Sequence, residues 1–319
     1  MKADINTIAE RCGVSKATVS RVFTGKASVR EPVRRQVLKV AHELNYAPQQ
    51  SIHKDVIAIM TDDKGALRNC NSFQCELISL LMYEVVTRGY QVHLLELKDI
   101  NSLSVLFPKA AIVLSWNKKV TQKLSALKIP LITVNDRLEG CHAVCTDHAG
   151  GAFKAVEYLV QRGFKRIGLF VASLPGNWGH QERIRGYRKA LEQNGLSYCP
   201  DLIVPIFEDS MVEALSIMLN QNPDALILGS EQYSLQLTYA LNLLHKKVPD
   251  DISVISYENQ PVSRWLTPPH TTIDQDLPRL SSATLDLIEE ILDHNPDQLI
   301  SKILPNQLIE RRSVKNRVE

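Results

Sequence analysis

Residues 13–22 read Gly13-Val14-Ser15-Lys16-Ala17-Thr18-Val19-Ser20-Arg21-Val22, and this stretch decides the first part of the fold. A glycine, the usual residue for a left-handed helix stop, stands two residues before Ser15, whose hydroxyl can cap a following helix. The three valines point inward and leave small, hydroxylated and basic side chains outside. A short helix with such an exposed face fits the DNA major groove. The stretch therefore predicts a turn followed by a DNA-recognition helix.

Two further helices are predicted around this stretch. Residues 5–12 carry apolar side chains at helical spacing and end at the glycine. A third helix begins at about Glu31, with Pro32 in the first turn, where its missing N–H costs nothing. The alternative is a basic helical hairpin from another kind of protein. The order of helix, glycine turn, capped helix and third helix favours a DNA-binding head.

The charge distribution supports the same interpretation. Residues 1–54 hold ten lysines or arginines against four acidic residues. Subtracted from the whole-chain totals of 37 and 35, these numbers leave 27 basic and 31 acidic residues in the remainder. A basic head on a mildly acidic body is typical of a phosphate-binding module joined to a sensor of small molecules.

From Val56 onward, short apolar runs alternate with amphipathic helical stretches. Buried parallel strands are predicted at 56–60, 91–95, 110–114, 130–134, 143–146, 166–171, 202–206, 224–228 and 252–256. Helices are predicted at 73–88, 149–162, 181–194, 211–220, 232–245 and 277–293. This is a doubly wound α/β body with too many strands for one compact sheet, so we expect two lobes with a cleft between them. Ligands of such sheets bind at the carboxyl ends of the strands.

Several protein classes are disfavoured. No apolar run approaches about eighteen residues and no secretion leader is apparent, so we expect a cytoplasmic chain without a membrane span. The six cysteines form no disulfide framework. A local group of possible metal ligands fits no standard zinc spacing, so no metal is predicted; its members are Cys141, His142, Cys145, Asp147 and His148. No nucleophile elbow, phosphate loop or metal-ligand helix pair suggests an enzyme.

Taken together, the motifs resemble the lac repressor family of bacterial transcription regulators. The head carries Gly13-Val14-Ser15, Thr18-Val19-Ser20-Arg21-Val22 and Gly25, and the body carries Gly163-Phe164-Lys165-Arg166-Ile167, Arg183-Ile184-Arg185-Gly186-Tyr187, Val248-Pro249-Asp250-Asp251-Ile252 and Pro268-Pro269-His270-Thr271-Thr272-Ile273. The resemblance implies a homodimeric, nucleoid-associated repressor of double-stranded operator DNA. It also implies a periplasmic-binding-protein-like body that holds a small effector and needs no cofactor. Sugars and their derivatives are the family's most frequent effectors, and nucleobases are a minority.

The resemblance also implies domain boundaries. The all-α helix-turn-helix head covers 1–48, a connector covers 49–55, and the body covers 56–319. Chain crossings near 149, 275 and 302 divide the body into lobe 1 (about 56–149 and 276–302) and lobe 2 (about 150–275 and 303–312). The connector is shorter than the family's usual hinge helix and offers only Ile52 for insertion into the minor groove. We therefore expect that insertion into the minor groove is weaker than is usual in the family or absent, and that the operator is bent less.

Roles in DNA binding follow residue by residue from the resemblance. Lys16, Ala17 and Arg21 occupy the positions that select bases, where lysine can donate to guanine and alanine offers only a methyl contact. Ser15, Thr18, Ser20 and Tyr46 are placed for phosphate contacts, which orient the head without reading sequence. For Thr18 and Ser20 the alternative is simple solvation of the helix surface.

Roles in effector binding follow in the same way. The family's polar ligand positions correspond to Asp147, Arg183, Glu231, Glu258 and Gln275, and candidate stacking aromatics are Phe73, Trp178 and Trp265. For each aromatic the alternative is ordinary core packing. Glu231 stands where the family usually has Asp or Asn, and Glu258 stands where the family usually has Asp. Three acids against one arginine favour a neutral or amino-bearing ligand over an anion. A second possibility is a body that has lost small-molecule binding and serves dimerisation or partner contact.

Overall fold

The structure is a computed structural model that describes residues 4–24, 29–44, 46, 55–62, 73–103, 108–115, 124, 129–172, 177–207, 210–229, 233–257, 259 and 261–318. The predictions for the connector, apart from Asp55, and for Glu231 and Glu258 concern residues outside these ranges. Within the described ranges, no helix is long and apolar enough to cross a membrane.

The described residues of the head form three helices, α1 (Ile5–Cys12), α2 (Lys16–Thr24) and α3 (Glu31–Glu43). Gly13 stops α1 at φ 63°, a left-handed conformation that glycine adopts without strain. The Ser15 hydroxyl accepts a hydrogen bond of 3.1 Å from the Thr18 amide and so caps α2. Apolar side chains from all three helices form the core of the head: Ile8, Ala9, Cys12, Val19, Val22, Phe23, Val37, Leu38 and Ala41. The predicted helices and the predicted cap are confirmed.

A first sheet of six parallel strands follows, in the spatial order β11-β5-β4-β3-β1-β2. Its strands are β1 (Val56–Thr61), β2 (Gln91–Glu96), β3 (Ala110–Leu114), β4 (Leu131–Val134), β5 (His142–Thr146) and β11 (Ser301–Leu304). Helices α4 (Phe73–Thr87) and α9 (Leu277–His294) pack together on the sheet and bury their leucines and isoleucines against β1, β3 and β4. The carboxyl ends of these parallel strands meet at one edge of the sheet.

A second sheet of six strands has the order β12-β10-β9-β8-β6-β7. Its strands are β6 (Ile167–Ala172), β7 (Ile203–Ile206), β8 (Ala225–Leu228), β9 (Ser253–Ser256), β10 (Thr271–Asp274) and β12 (Gln307–Ile309). Helices α5 (His148–Gln161) and α6 (Trp178–Gln193) share one core with this sheet, and α7 (Met211–Asn220) and α8 (Ser234–Leu243) share another. All pairings are parallel except that of β10 with β12.

The predicted strands and helices of the body are all present, and the structure adds three strands. β10, β11 and β12 are short, and the last two lie at sheet edges with partly exposed, alternating side chains, so they lack the continuous apolar run of a central strand. One boundary needs correction. The crossing predicted near 302 falls inside β11, which pairs with β5, so the chain remains in the first sheet through Leu304.

Candidate DNA-binding helix and ligand cleft

The outer face of α2 is formed by the residues predicted to contact DNA. Lys16, Ala17, Ser20 and Arg21 are exposed, whereas Val19 and Val22 are buried in the core of the head. The two hydroxyls at the start of the helix also have a local task. Ser15 is exposed and Thr18 is half-buried, and their hydroxyl oxygens lie 2.9 Å apart. Packing therefore presents two cationic and two small side chains on the exposed face of the helix.

Tyr46 packs against the head from the segment after α3. Its ring centroid lies 5.6 Å from that of Phe23, and its amide donates a hydrogen bond of 2.8 Å to the Ala41 carbonyl. Burial of the phenol raises the pKa of Tyr46, with a smaller contribution from the Asp4 charge. The ring thus contributes to the core of the head, and its contact with a phosphate remains a prediction.

Arg183, on the second turn of α6, is deeply buried, with 2% of its surface exposed. Its Nη1 donates to the Gly229 carbonyl at 2.5 Å, and its Nη2 donates to Nδ1 of His148 at 3.3 Å. The guanidinium carbon lies 4.3 Å from the centre of the Tyr257 ring. Tyr257 in turn donates its hydroxyl to the His148 carbonyl at 2.6 Å. The arginine is therefore held in one orientation by the second sheet and by the start of α5.

Trp178 begins α6, directly after its capping residue Asn177. The indole meets the His148 ring edge-on, with ring centroids 5.5 Å apart and an interplanar angle of 69°. The guanidinium carbon of Arg137 also lies 4.8 Å from the centre of a Trp178 ring. Arg137 follows β4 of the first sheet, so Trp178 forms a contact between the two sheets. This geometry supports a role at the cleft more than simple core packing.

Gln275 lies where the chain leaves β10 and returns to the first sheet, and only 3% of its surface is exposed. Its Oε1 accepts hydrogen bonds from Asn135 Nδ2 at 2.8 Å and from Thr146 Oγ1 at 3.0 Å. Its Nε2 donates to the Tyr257 carbonyl at 3.5 Å. Gln275 therefore connects the carboxyl ends of β4 and β5 with the end of β9.

Sequence reasoning missed four polar residues that lie just beyond strand ends in the first sheet. Asn135 follows β4, and its Oδ1 accepts from both the amide and the hydroxyl of Thr146. Ser115, after β3, donates to Asp62, after β1, at 2.9 Å. His148, the first residue of α5, was considered only as a metal ligand. The rule that ligands bind at the carboxyl ends of strands identifies all of these positions.

Asp147 has a structural task that the sequence interpretation did not consider. Its Oδ1 accepts a hydrogen bond of 2.8 Å from the Gly150 amide and so caps α5, where a carboxylate also faces the positive end of the helix dipole. Its backbone carbonyl accepts from Asn306 at 3.0 Å. Of the three acidic residues expected near Arg183, Asp147 is thus engaged in capping, and the other two lie outside the described residues.

The remaining two aromatics differ from each other. Phe73, the first residue of α4, is half-buried and packs against the core of the first sheet, as the core-packing alternative predicts. Trp265 is 82% exposed, so that alternative is wrong for this residue. An effector contact for either ring remains a prediction.

The residues of the possible metal group have other partners. The Cys145 thiol donates to the Asp136 carbonyl at 3.3 Å, and His142 Nδ1 accepts from the Ile300 amide at 3.0 Å. Burial raises the pKa of Cys141 to about 11 and that of Cys145 to about 12, which opposes formation of the thiolate that binds metals. Among the described residues, no group of three or more potential ligands is arranged to hold a metal ion.

A three-helix head with a basic exposed helix, joined to an α/β body of two sheets, defines a DNA-binding protein with a periplasmic-binding-protein-like body. Residues 4–49 match the family described as "Bacterial regulatory proteins, lacI family", and residues 156–314 match a "Periplasmic binding protein-like domain". The chain is therefore a transcription regulator with a lacI-family DNA-binding domain and a periplasmic-binding-protein-like domain.

Similar proteins cover almost the whole chain. The HTH-type transcriptional repressor PurR of Pasteurella multocida is 27% identical over 337 residues, which covers 99% of this chain and 100% of that protein. Catabolite control protein A of Priestia megaterium is 24% identical and covers 99% and 100%. The complex of the regulator CelR with cellobiose shares the fold with a TM-score of 0.73 at 23% identity, covering 98% and 99%. The lac repressor dimer bound to operator and an anti-inducer has a TM-score of 0.71 at 21% identity, covering 98% and 99%.

Proposed function

We propose that this regulator is a cytoplasmic repressor, not an enzyme, whose affinity for double-stranded operator DNA changes when a small polar ligand occupies the cleft between the two sheets. The observation that carries the proposal is the series of contacts from Arg137 through Trp178 and His148 to Arg183. This series begins in the first sheet and ends in the second.

The chemistry of this series suits a sugar or sugar derivative. A guanidinium presents a planar set of donors that can hold two neighbouring oxygens. An indole offers an apolar face with a polar edge. A ligand that contacts Trp178 and Arg183 senses the spacing of the two sheets, because Trp178 contacts both. Such a ligand shifts the equilibrium between sheet arrangements by its difference in affinity for them.

The proposal is tested by thermal shift with a panel of ribose, cellobiose, other saccharides, polyols and nucleobases. A ligand that binds only the folded chain raises its apparent stability, by about 2.7 kcal/mol at a hundredfold excess over Kd. We expect that at least one compound stabilises the unchanged protein and that Arg183→Lys abolishes this stabilisation. The control Arg185→Lys, at an exposed position on the same helix, should keep it. The same compound must change operator retardation in a gel. A panel without any stabilising compound would favour the alternative of a body that only dimerises or binds a protein partner.

We further propose that the chain acts as a homodimer through α8. Leu235, Tyr239 and Leu243 are exposed and recur every four residues, so they form one apolar stripe along this helix. Contiguous exposed apolar surface of this kind marks an interaction site. Sedimentation velocity should show that Leu235→Lys weakens the dimer, whereas Leu299→Lys, at another exposed leucine before β11, leaves it intact. Equal behaviour of both variants would refute the role of α8.

A further inference from the structure

His148 contacts residues from both halves of the body, Asn135 after β4 of the first sheet and Arg183 on α6. It is almost completely buried at the start of α5. Close approach of α6 to its ring depends on Gly179, because a Cβ at that position would lie 2.8 Å from His148 Nε2. The imidazole is therefore packed tightly against the helix that carries Arg183.

The hydrogen bonds of the ring determine its protonation. Nδ1 lies 3.3 Å from Nη2 of Arg183, and a guanidinium only donates, so Nδ1 must accept and carry no proton. Nε2 lies 3.4 Å from the Asn135 carbonyl, which only accepts, so Nε2 must carry the proton. Both neighbours thus require the neutral tautomer with its proton on Nε2.

Asn135, which accepts the hydrogen bond from Nε2, is itself held in place by neighbouring residues, as Arg183 is. The Asn135 side chain is engaged by both Gln275 and Thr146, and its backbone has a φ of 59°, in the left-handed region. The carbonyl that accepts from His148 therefore belongs to a rigid part of the first sheet. His148 connects this carbonyl directly with the buried arginine of the second sheet.

We infer that His148 is the positioning residue of the cleft: as a neutral imidazole with its proton on Nε2, it orients Arg183 and joins it to Asn135 of the first sheet. This inference deepens the proposed function, on which it rests for the role of Arg183 in ligand binding. Protonation of Nδ1 would place a donor against the donor of Arg183 and would remove the acceptor that orients the guanidinium.

Burial and the nearby positive charge of Arg183 oppose that protonation. From α6, the positive charge of Arg183 and, more weakly, His180 face the imidazole; from the end of β9 the neutral Tyr257 hydroxyl contacts its backbone. Asp147 precedes it, with its carboxylate turned to the Gly150 amide, and the first sheet contributes the Asn135 carbonyl. Burial, followed by the charge of Arg183, holds the pKa of His148 well below its usual value, although the Asn135 carbonyl acts in the opposite direction.

The first test uses the full chain without ligand. Long-range proton–nitrogen NMR on protein labelled with ¹⁵N-histidine reports the tautomer, and the signal that disappears in His148→Gln belongs to His148. We expect the neutral tautomer protonated on Nε2 from about pH 8 down to about pH 5, a range in which an ordinary histidine titrates. A proton on Nδ1, or a titration near the usual pKa of about 6.5, would overturn the inference.

The second test separates the two hydrogen bonds. His148→Asn puts an amide oxygen near the position of Nδ1 and keeps the acceptor for Arg183, whereas His148→Gln puts an amide nitrogen near Nε2 and keeps the link to Asn135. Protection of the Arg183 guanidinium protons from exchange should fall roughly tenfold or more in His148→Ala, as expected for loss of a charged hydrogen bond. It should recover in His148→Asn more than in His148→Gln, and His294→Ala is the exposed control. Equal loss in all three variants at position 148 would show a merely structural role.

Cellobiose is the probe for the link to binding, measured by calorimetry on the same variants. We expect His148→Asn to bind it more tightly than His148→Ala. If the unchanged chain binds neither cellobiose nor any compound of the panel, the proposed ligand is refuted, while the tautomer and exchange results still decide the role of His148.

Discussion

The packing of α6 against α5 at Gly186 gives the sharpest prediction, because a methyl group there meets backbone. A Cβ at this position would lie 2.0 Å from the Ala149 carbonyl oxygen and 2.7 Å from its carbon. Ordinary carbon–oxygen contacts begin at about 3.3 Å, so Gly186→Ala requires the helix to move by about 1.3 Å. Overpacking of this kind costs about 3 kcal/mol at the upper end of its range, and the better helix propensity of alanine returns about 1 kcal/mol. The expected net loss is about 2 kcal/mol.

Urea unfolding followed by circular dichroism measures this loss. Gly195→Ala is the control, since a Cβ there has nothing within 4 Å and only the positive φ of 66° opposes it. The two variants should also differ in ligand binding, because Arg183 lies three residues before Gly186 and moves with the helix. We expect weaker ligand stabilisation in Gly186→Ala only. A Gly186→Ala chain as stable as the unchanged protein would refute the packing argument.

Three further predictions concern single side chains. Lys16→Ala should cost about 1–3 kcal/mol on a duplex selected in vitro and relax base preference at one position, and unchanged preference would exclude base contact. Asp147→Ala should lower the free energy of unfolding by about 1 kcal/mol through loss of the cap, and a loss of ligand affinity without destabilisation would contradict this. Burial, aided by the charge of Arg311, lowers the pKa of His270 from 6.5 to about 4, so the folded state favours the neutral ring. The contribution of His270 to the free energy of unfolding is complete above about pH 6.5 and is lost as the pH falls towards 4, by at most about 1.4 kcal/mol per pH unit. The melting temperature of His270→Gln should therefore depend less on pH across that range. An equal pH dependence in the variant and the unchanged protein would refute this.

The head could be predicted almost completely from sequence because its signals are local. Gly13 stops one helix and Ser15 caps the next, and both are read from neighbouring residues. The central strands could be predicted equally well, since continuous burial of strands such as β1 and β3 requires continuous apolar sequence. In both kinds of element, a short stretch of sequence determines the capping hydrogen bonds or the burial of the side chains.

The candidate site was harder to predict from the sequence because its contacts join distant parts of the chain. Gln275 and Asn135 are 140 positions apart, and no periodicity connects them. For Asp147, a carboxylate after a strand is equally compatible with ligand binding and with capping of the next helix. Only the position of the Gly150 amide shows that it caps. Family resemblance indicated the polar positions, whereas the strand-end rule indicates Asn135 and Ser115 as well.

The capping role of Asp147 bears on the charge of the ligand. With Asp147 engaged at the start of α5, the expectation of an uncharged ligand depends on Glu231 and Glu258, which the sequence assigns to the same pocket as Arg183. A carboxylate near an anionic ligand raises the cost of burying both. We therefore expect an uncharged sugar to bind more tightly than its phosphate ester in calorimetry.

The difference between the two compounds should shrink or reverse in the double variant Glu231→Gln and Glu258→Gln, because removal of both charges leaves Arg183 to favour the phosphate. Asp147→Asn, which keeps a capping oxygen, should leave the difference unchanged, because its carboxylate faces the Gly150 amide. If Asp147→Asn shifts the preference as much as the double variant does, the Asp147 carboxylate also disfavours an anionic ligand. All three acidic residues would then determine the charge of the ligand.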